Sequence, residues 1–211
     1  MEFNEKQLAI INAAEKLFAV TGFDGTSVRD IAHEAGINVA MISYYFGSKE
    51  KLMEAVFEQK TTKIRLKIEN LMTNHQLSQL EKVYILIDDY VDKLMTQQEF
   101  HNIMLREQLI DKKSLIAELI HELKKKNLDS IRRLIQEGQK SGEFRKNIDV
   151  VLMMTTMSGT VSQMITSQRF YREAHHLEDM TDVEFTKHIR KKLGNHLKHL
   201  FKITLTYDTK M

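Results

Sequence analysis

Proline is absent from all 211 residues of this chain. Strand-rich folds punctuate their turns with proline and glycine, and only eight glycines remain for that purpose. The expectation is an all-α protein. Apolar spacing agrees: Leu8, Ile11, Ala14, Leu17 and Phe18 recur at helical intervals and predict an amphipathic helix over 4–21. Gly22 ends it. Thr26 or Ser27 caps a second helix with Val28, Ile31 and Ala32 on its inner face, and Gly36 closes it. Asn38 caps a short third helix, Gly47 breaks it, and Ser48 caps a long fourth over 48–72. Further helices are expected near 77–95, 98–110, 113–140, 149–170 and 181–205, with 171–180 as the longest irregular stretch.

Composition excludes several function classes. Without cysteine there are no disulfides, no thiol catalysis and no Cys-ligated zinc. No apolar run approaches the ~20 residues of a membrane span. The first residues, Met1 to Lys6, lack the basic start and apolar stretch of a signal peptide, so a cytoplasmic protein is expected. No Ser-His-Asp arrangement, phosphate loop or paired carboxylates stand out, and enzymatic activity is not expected. His196 and His199, at i and i+3, form one edge of a metal site with nothing placed to complete it. No metal and no cofactor are expected.

Two short helices joined at Gly36 have the geometry of a helix-turn-helix, whose second helix lies in the major groove. Its exposed face would be Asn38, Val39, Ala40, Ser43 and Tyr44. Bulk charge gives no help. The first fifty residues carry Lys6, Lys16, Arg29 and Lys49 against seven carboxylates. Binding must therefore rest on placed donors, including the free amides at a helix start.

The run Gly22-Phe23-Asp24-Gly25-Thr26-Ser27-Val28-Arg29-Asp30-Ile31-Ala32-His33-Glu34-Ala35-Gly36, followed by Tyr44-Tyr45-Phe46-Gly47-Ser48-Lys49-Glu50-Lys51-Leu52, closely resembles the TetR/AcrR regulators. A weaker likeness is the phrase Gly138-Gln139-Lys140-Ser141-Gly142-Glu143-Phe144-Arg145. The resemblance implies an all-α fold of about nine helices. Residues 1–50 would be a three-helix helix-turn-helix DNA-binding domain. Residues 51–211 would be a larger helical domain for ligand sensing and dimerisation. It further implies a sequence-specific DNA-binding transcriptional regulator, a homodimer on a palindromic operator, released by a small molecule. By position it assigns DNA contacts to Arg29, Asn38, Val39, Ala40, Tyr44, Tyr45 and Lys49, and Ser27 and Ser43 complete the expected contact set. Val39 departs from the common pattern and cannot hydrogen-bond a base edge; an apolar contact, as with a thymine methyl, is what it offers, and Arg29 and Asn38 are the best candidates for base-specific contacts. Tyr45 and Phe46 also suit a core, and Lys49 near a helix start opposes the helix dipole.

The middle helices supply apolar residues with few convergent charges: Leu86, Tyr90, Leu94, Met104, Leu105, Leu109, Met153 and Met157. They would line a pocket for an apolar or amphipathic effector. Met157, Val161 and Met164 in one helix, with Ile189, Leu193, Leu197 and Leu200 in another, are the expected dimer interface. Two competing readings stay open: a structural dimer module without a small ligand, and an enzyme or carrier fused to a DNA-binding head.

Overall fold

The computed structural model describes residues 3–110 and 114–207, with side chains left out for 63–65 and 107–110. The described residues form ten helices and no strand. They are α1 (Glu5–Thr21), α2 (Val28–Glu34), α3 (Val39–Phe46), α4 (Lys49–Thr73), α5 (Gln79–Thr96), α6 (Gln98–Ile110), α7 (Leu115–Lys140), α8 (Val150–Thr166), α9 (Gln168–Ala174) and α10 (Asp182–Leu205). The helix beyond the expected number is α9. The sequence shows one apolar run into 170 and then polar residues, but the chain breaks at Ser167 and turns again through Ala174.

Packing groups these helices into two compact units, at places other than the functional division expected at residue 50. One holds residues up to Lys67 together with Gln97–Lys125; the other holds Ile68–Thr96 and Lys126 onward. In the first, Ile10, Ile11, Ala14 and Phe18 of α1 meet Ile31 of α2, Ile42 of α3, Leu52, Val56 and Phe57 of α4, and Phe100 and Ile103 of α6. Two ion pairs anchor α1: Lys16 to Glu34 of α2 and the largely buried Glu15 to Lys60 of α4, each at 2.6 Å. Burying that second pair is tolerable only because it is matched. From α6, the Arg106 guanidinium donates to the Val20 carbonyl at 3.2 Å, at the end of α1. A cation there satisfies a carbonyl that the helix leaves open.

In the second unit, α5 and α10 lie along each other. Val83, Ile87, Val91 and Leu94 of α5 share a core with Phe185, Ile189, Leu193, Leu197 and Phe201 of α10, joined by Leu134, Met153 and Val161. The Gly138-to-Arg145 phrase acquires a physical role here. A Cβ on Gly138 would stand 2.1 Å from the Phe144 ring, so only glycine lets that ring bury itself against α7. The Glu143 carboxylate accepts the Gln79 and Leu80 amides, both at 2.9 Å, and so caps α5. The Arg145 amide donates to the Leu205 carbonyl at 2.7 Å, and its side chain bonds the Thr206 carbonyl, closing α10.

Of the seven residues expected at a subunit interface, four are covered inside the chain. Ile189, Leu193, Leu197 and Val161 are buried in their own second core, and Met157, Met164 and Leu200 are partly buried against it. Periodicity shows that a face must be covered. It does not say by which chain, and α5 supplies the cover for α10.

Candidate nucleic-acid interface

Local rules hold α2 and α3 in place. The Ser27 hydroxyl accepts the Asp30 amide at 3.2 Å, and Asp30 returns to the Ser27 amide at 2.9 Å and hydroxyl at 2.6 Å, a reciprocal cap. Those bonds from Ser27 hold the exposed Asp30 carboxyl below the usual carboxylate range. Gly36 makes the turn at φ +65°, a left-handed conformation that disfavours other residues. The Asn38 side-chain oxygen then caps α3 by accepting the Ala40 amide at 2.8 Å. Ile42 is buried and Tyr45 and Phe46 pack partly against the core, so the helix has one inward side.

The outward side carries Val39, Ala40, Ser43 and Tyr44, all exposed, with Asn38 at its start. Tyr44 is 82% exposed, which no core role accounts for. Its ring stands edge-on to Tyr45 at 5.0 Å, so Tyr45 buttresses it. Arg29 on α2 is also exposed. The structure thus brings Arg29, Asn38, Val39, Ala40, Ser43 and Tyr44 to the surface of one small helical frame.

Two of the expected contacts have prior engagements. The Ser27 hydroxyl is spent on its cap. The half-buried Lys49 ammonium donates to the Phe23 carbonyl at 2.9 Å and the Thr26 carbonyl at 3.1 Å, and lies over the Phe23 ring at 4.3 Å from its centre. This bond set explains why a lysine is tolerated at the start of α4: it ties down the loop before α2. One of its three N–H groups remains for a phosphate.

Sequence reasoning gave no role to two supporting residues, Asp30 and Arg106, and offered Thr26 only as an alternative to Ser27 for the cap of α2. Thr26 is buried and donates to the Gly22 carbonyl at 2.7 Å. Asp30 completes the Ser27 cap, which a Ser-x-x-acid pattern signals. Arg106, far along the chain, has no local signal at all.

The expected effector-pocket residues fall into separate groups. Leu86, Tyr90, Leu94, Met153 and Met157 belong to the second core, whereas Met104 packs against the first. Burial pushes the Tyr90 hydroxyl up to about 12, so it is neutral. Leu105 is half-buried on α6, and Leu109 lies outside the described side chains.

Comparison with known proteins follows the same lines. Residues 10–56 match the family model for bacterial regulatory proteins of the tetR family. Residues 80–195 match a tetracyclin repressor-like C-terminal domain. The chain is 34% identical over 139 residues to the probable HTH-type transcriptional regulator YttP of Bacillus subtilis, covering 64% of this chain and 65% of that protein. It is 27% identical over 164 residues to the Bacillus subtilis fatty acid metabolism regulator protein, covering 77% of this chain and 82% of that one. In fold it is similar to the transcriptional regulator FadR from Bacillus subtilis, solved in complex with stearoyl-CoA. The TM-score is 0.68 at 23% identity, over 93% of this chain and 98% of FadR. With a surface-exposed third helix on a capped three-helix frame, and a family match over more than half its length, the chain belongs to the tetR family of bacterial regulatory proteins.

Proposed function

We propose that this chain is a sequence-specific DNA-binding transcriptional regulator, a ligand-released repressor that acts in the cytoplasm as a homodimer on a palindromic operator. The observation that carries the reading is the outward face of α3. Val39, Ala40, Ser43 and Tyr44 stand exposed on a helix whose other side is locked into a core. A rigid frame presenting one helix is what major-groove docking requires. Residues 1–50 make the DNA contacts, and residues 51–211 sense ligand and dimerise. The reading leaves no role for enzymatic chemistry.

One head reads only a half-site, so two must be joined. The joining surface is the outer face of α8. Val151, Leu152, Thr155, Gly159, Gln163 and Thr166 are all exposed and fall within about 120° of arc at 3.6 residues per turn. No charged residue occurs between Val150 and Thr166. A solvent-facing helix side normally carries charge, and Gly159 opens onto empty space where a partner helix can approach closely. This support is independent of the α10 stripe, which is already buried.

The effector is an amphipathic molecule with a long apolar part, of the class of a long-chain acyl thioester. The fold relative solved with stearoyl-CoA supports this choice, as does the apolar set Leu86, Tyr90, Leu94, Met153 and Met157 in the second core. The ligand shifts the population between arrangements of the two heads that fit and do not fit DNA. The lever is α4: its start lies in the first core through Leu52 and Val56, and Met72 near its end packs against the second.

The test selects bound duplexes from a random pool with the purified protein. Affinity is then measured with and without stearoyl-CoA. Tight, palindromic, sequence-selective binding that stearoyl-CoA weakens is the expected result. Failure to select any duplex sinks the regulator reading. Selective binding that stearoyl-CoA leaves unchanged, with no rise in melting temperature, sinks the effector class alone.

A further inference from the structure

We infer that the operator half-site is read chiefly through thymine methyl groups, with Val39 and Ala40 as the specificity-determining side chains. This rests on the proposed regulator reading and adds the chemistry of recognition to it.

Elimination on the face of α3 leads there. Guanine is read by Arg or Lys on O6 and N7, cytosine by Asp or Glu on its amino group, and adenine by both amide atoms of Asn or Gln. From Val39 to Phe46, α3 carries no Arg, Lys, Asp, Glu or Gln. The nearest amide is Asn38, and its oxygen is held by the Ala40 N–H at 2.8 Å. A two-point adenine contact would have to share the oxygen that caps the helix start, which disfavours it. Ser43 offers a hydroxyl that bonds several bases alike. Ser27 is closed into its cap with Asp30. Arg29 is exposed, but on α2, the helix that crosses the backbone.

What remains in the first turn of α3 is apolar. Val39 is 38% exposed, and the neighbouring Ala40 is exposed as well. The first turn of a recognition helix is the part that meets base edges. Local structure gives no reason for a β-branched residue here, since Val is a mediocre helix former and is not covered by the core. The major-groove feature complementary to an isopropyl and a methyl group is the thymine C5-methyl. Removing water from that methyl and the Val39 side chain supplies the discrimination.

The experiment uses the full-length protein and its selected duplex. Each thymine is replaced in turn by deoxyuridine, which deletes the methyl and keeps every hydrogen-bonding group. At one or two positions per half-site, affinity should fall about fourfold, the loss expected for one buried methyl at ~0.8 kcal/mol. Replacing both half-sites should multiply to about fifteenfold. Restoring the methyl on another base, as a 5-methylcytosine·guanine pair in place of cytosine·guanine, should recover affinity at the same positions. In Val39→Ala, at least one deoxyuridine penalty should disappear, with circular dichroism showing that helix content is kept. Two results overturn the inference: wild-type binding indifferent to deoxyuridine everywhere, or penalties that persist undiminished in both Val39→Ala and Ala40→Gly. Either leaves the regulator reading standing, because the duplex was still selected. If no duplex is selected at all, both fall together.

Discussion

The Lys49 ammonium lies 4.3 Å from the centre of the Phe23 ring while donating to the carbonyl of that same residue at 2.9 Å. One cation from the start of α4 thus holds both the side chain and the backbone of the loop that precedes α2. Lys49→Ala should therefore lower stability as well as DNA affinity. Hydrogen bonds to a charged group are worth roughly 1.5–3 kcal/mol, and partial exposure puts the expected loss near the lower end. Urea denaturation checks it. A variant of wild-type stability that binds DNA weakly would show that Lys49 serves phosphate alone.

Tyr44 and Arg29 separate contact from charge. Tyr44 is 82% exposed, so Tyr44→Ala should leave stability within about 0.5 kcal/mol. Operator affinity should still fall, with the salt dependence nearly unchanged, because a phenol displaces no counterion. Arg29→Ala should instead reduce the slope of log affinity against log salt by about 1 per head. Equal slopes for both variants would contradict these roles.

Asn38 caps α3, and removal of such a cap costs about 1 kcal/mol. Asn38→Ala should lose that stability, while Asn38→Ser should retain most of it. If base preference in a selection experiment is the same for wild type and Asn38→Ser, the residue organises the helix rather than reading a base. A changed preference at one base pair would instead assign it a base contact.

Substitutions on α8 and α10 should behave oppositely. Leu197 is fully buried, so Leu197→Arg places a charge in the second core at a cost of about 3–5 kcal/mol and should unfold that unit. Leu152 is 63% exposed on α8. Leu152→Glu should fold normally, sediment as a monomer and lose operator affinity. Sedimentation with circular dichroism distinguishes these outcomes, and a folded Leu152→Glu dimer would place the interface elsewhere.

His101 is 3% exposed on α6, and neither ring nitrogen has a hydrogen-bond partner. Burial lowers its pKa below the usual histidine value of 6.5. The unfolded chain therefore takes up a proton near pH 6.5 while the folded one resists. The stability this group confers is full above that pH and declines as pH falls below it. The urea midpoint of wild type should drop between pH 7.5 and 5.5, and the drop should be smaller in His101→Leu. Parallel pH profiles for the two proteins would refute the assignment.

Local chemistry made much of this protein legible from sequence. Ser27 and Asn38 sit at helix starts and Gly22 and Gly47 at helix ends, because caps and left-handed turns depend on residue type over three or four positions. The exposed side of α3 followed from the same spacing. Partners across space were another matter. That Lys49 would clamp Phe23, that Glu143 would cap α5, and that Arg106 would reach Val20 depend on residues 26, 64 and 86 positions apart. The stripe of Ile189, Leu193 and Leu197 shows the limit most directly. A periodic apolar face states the demand for burial, and only the placement of α5 decided that its own chain would meet it.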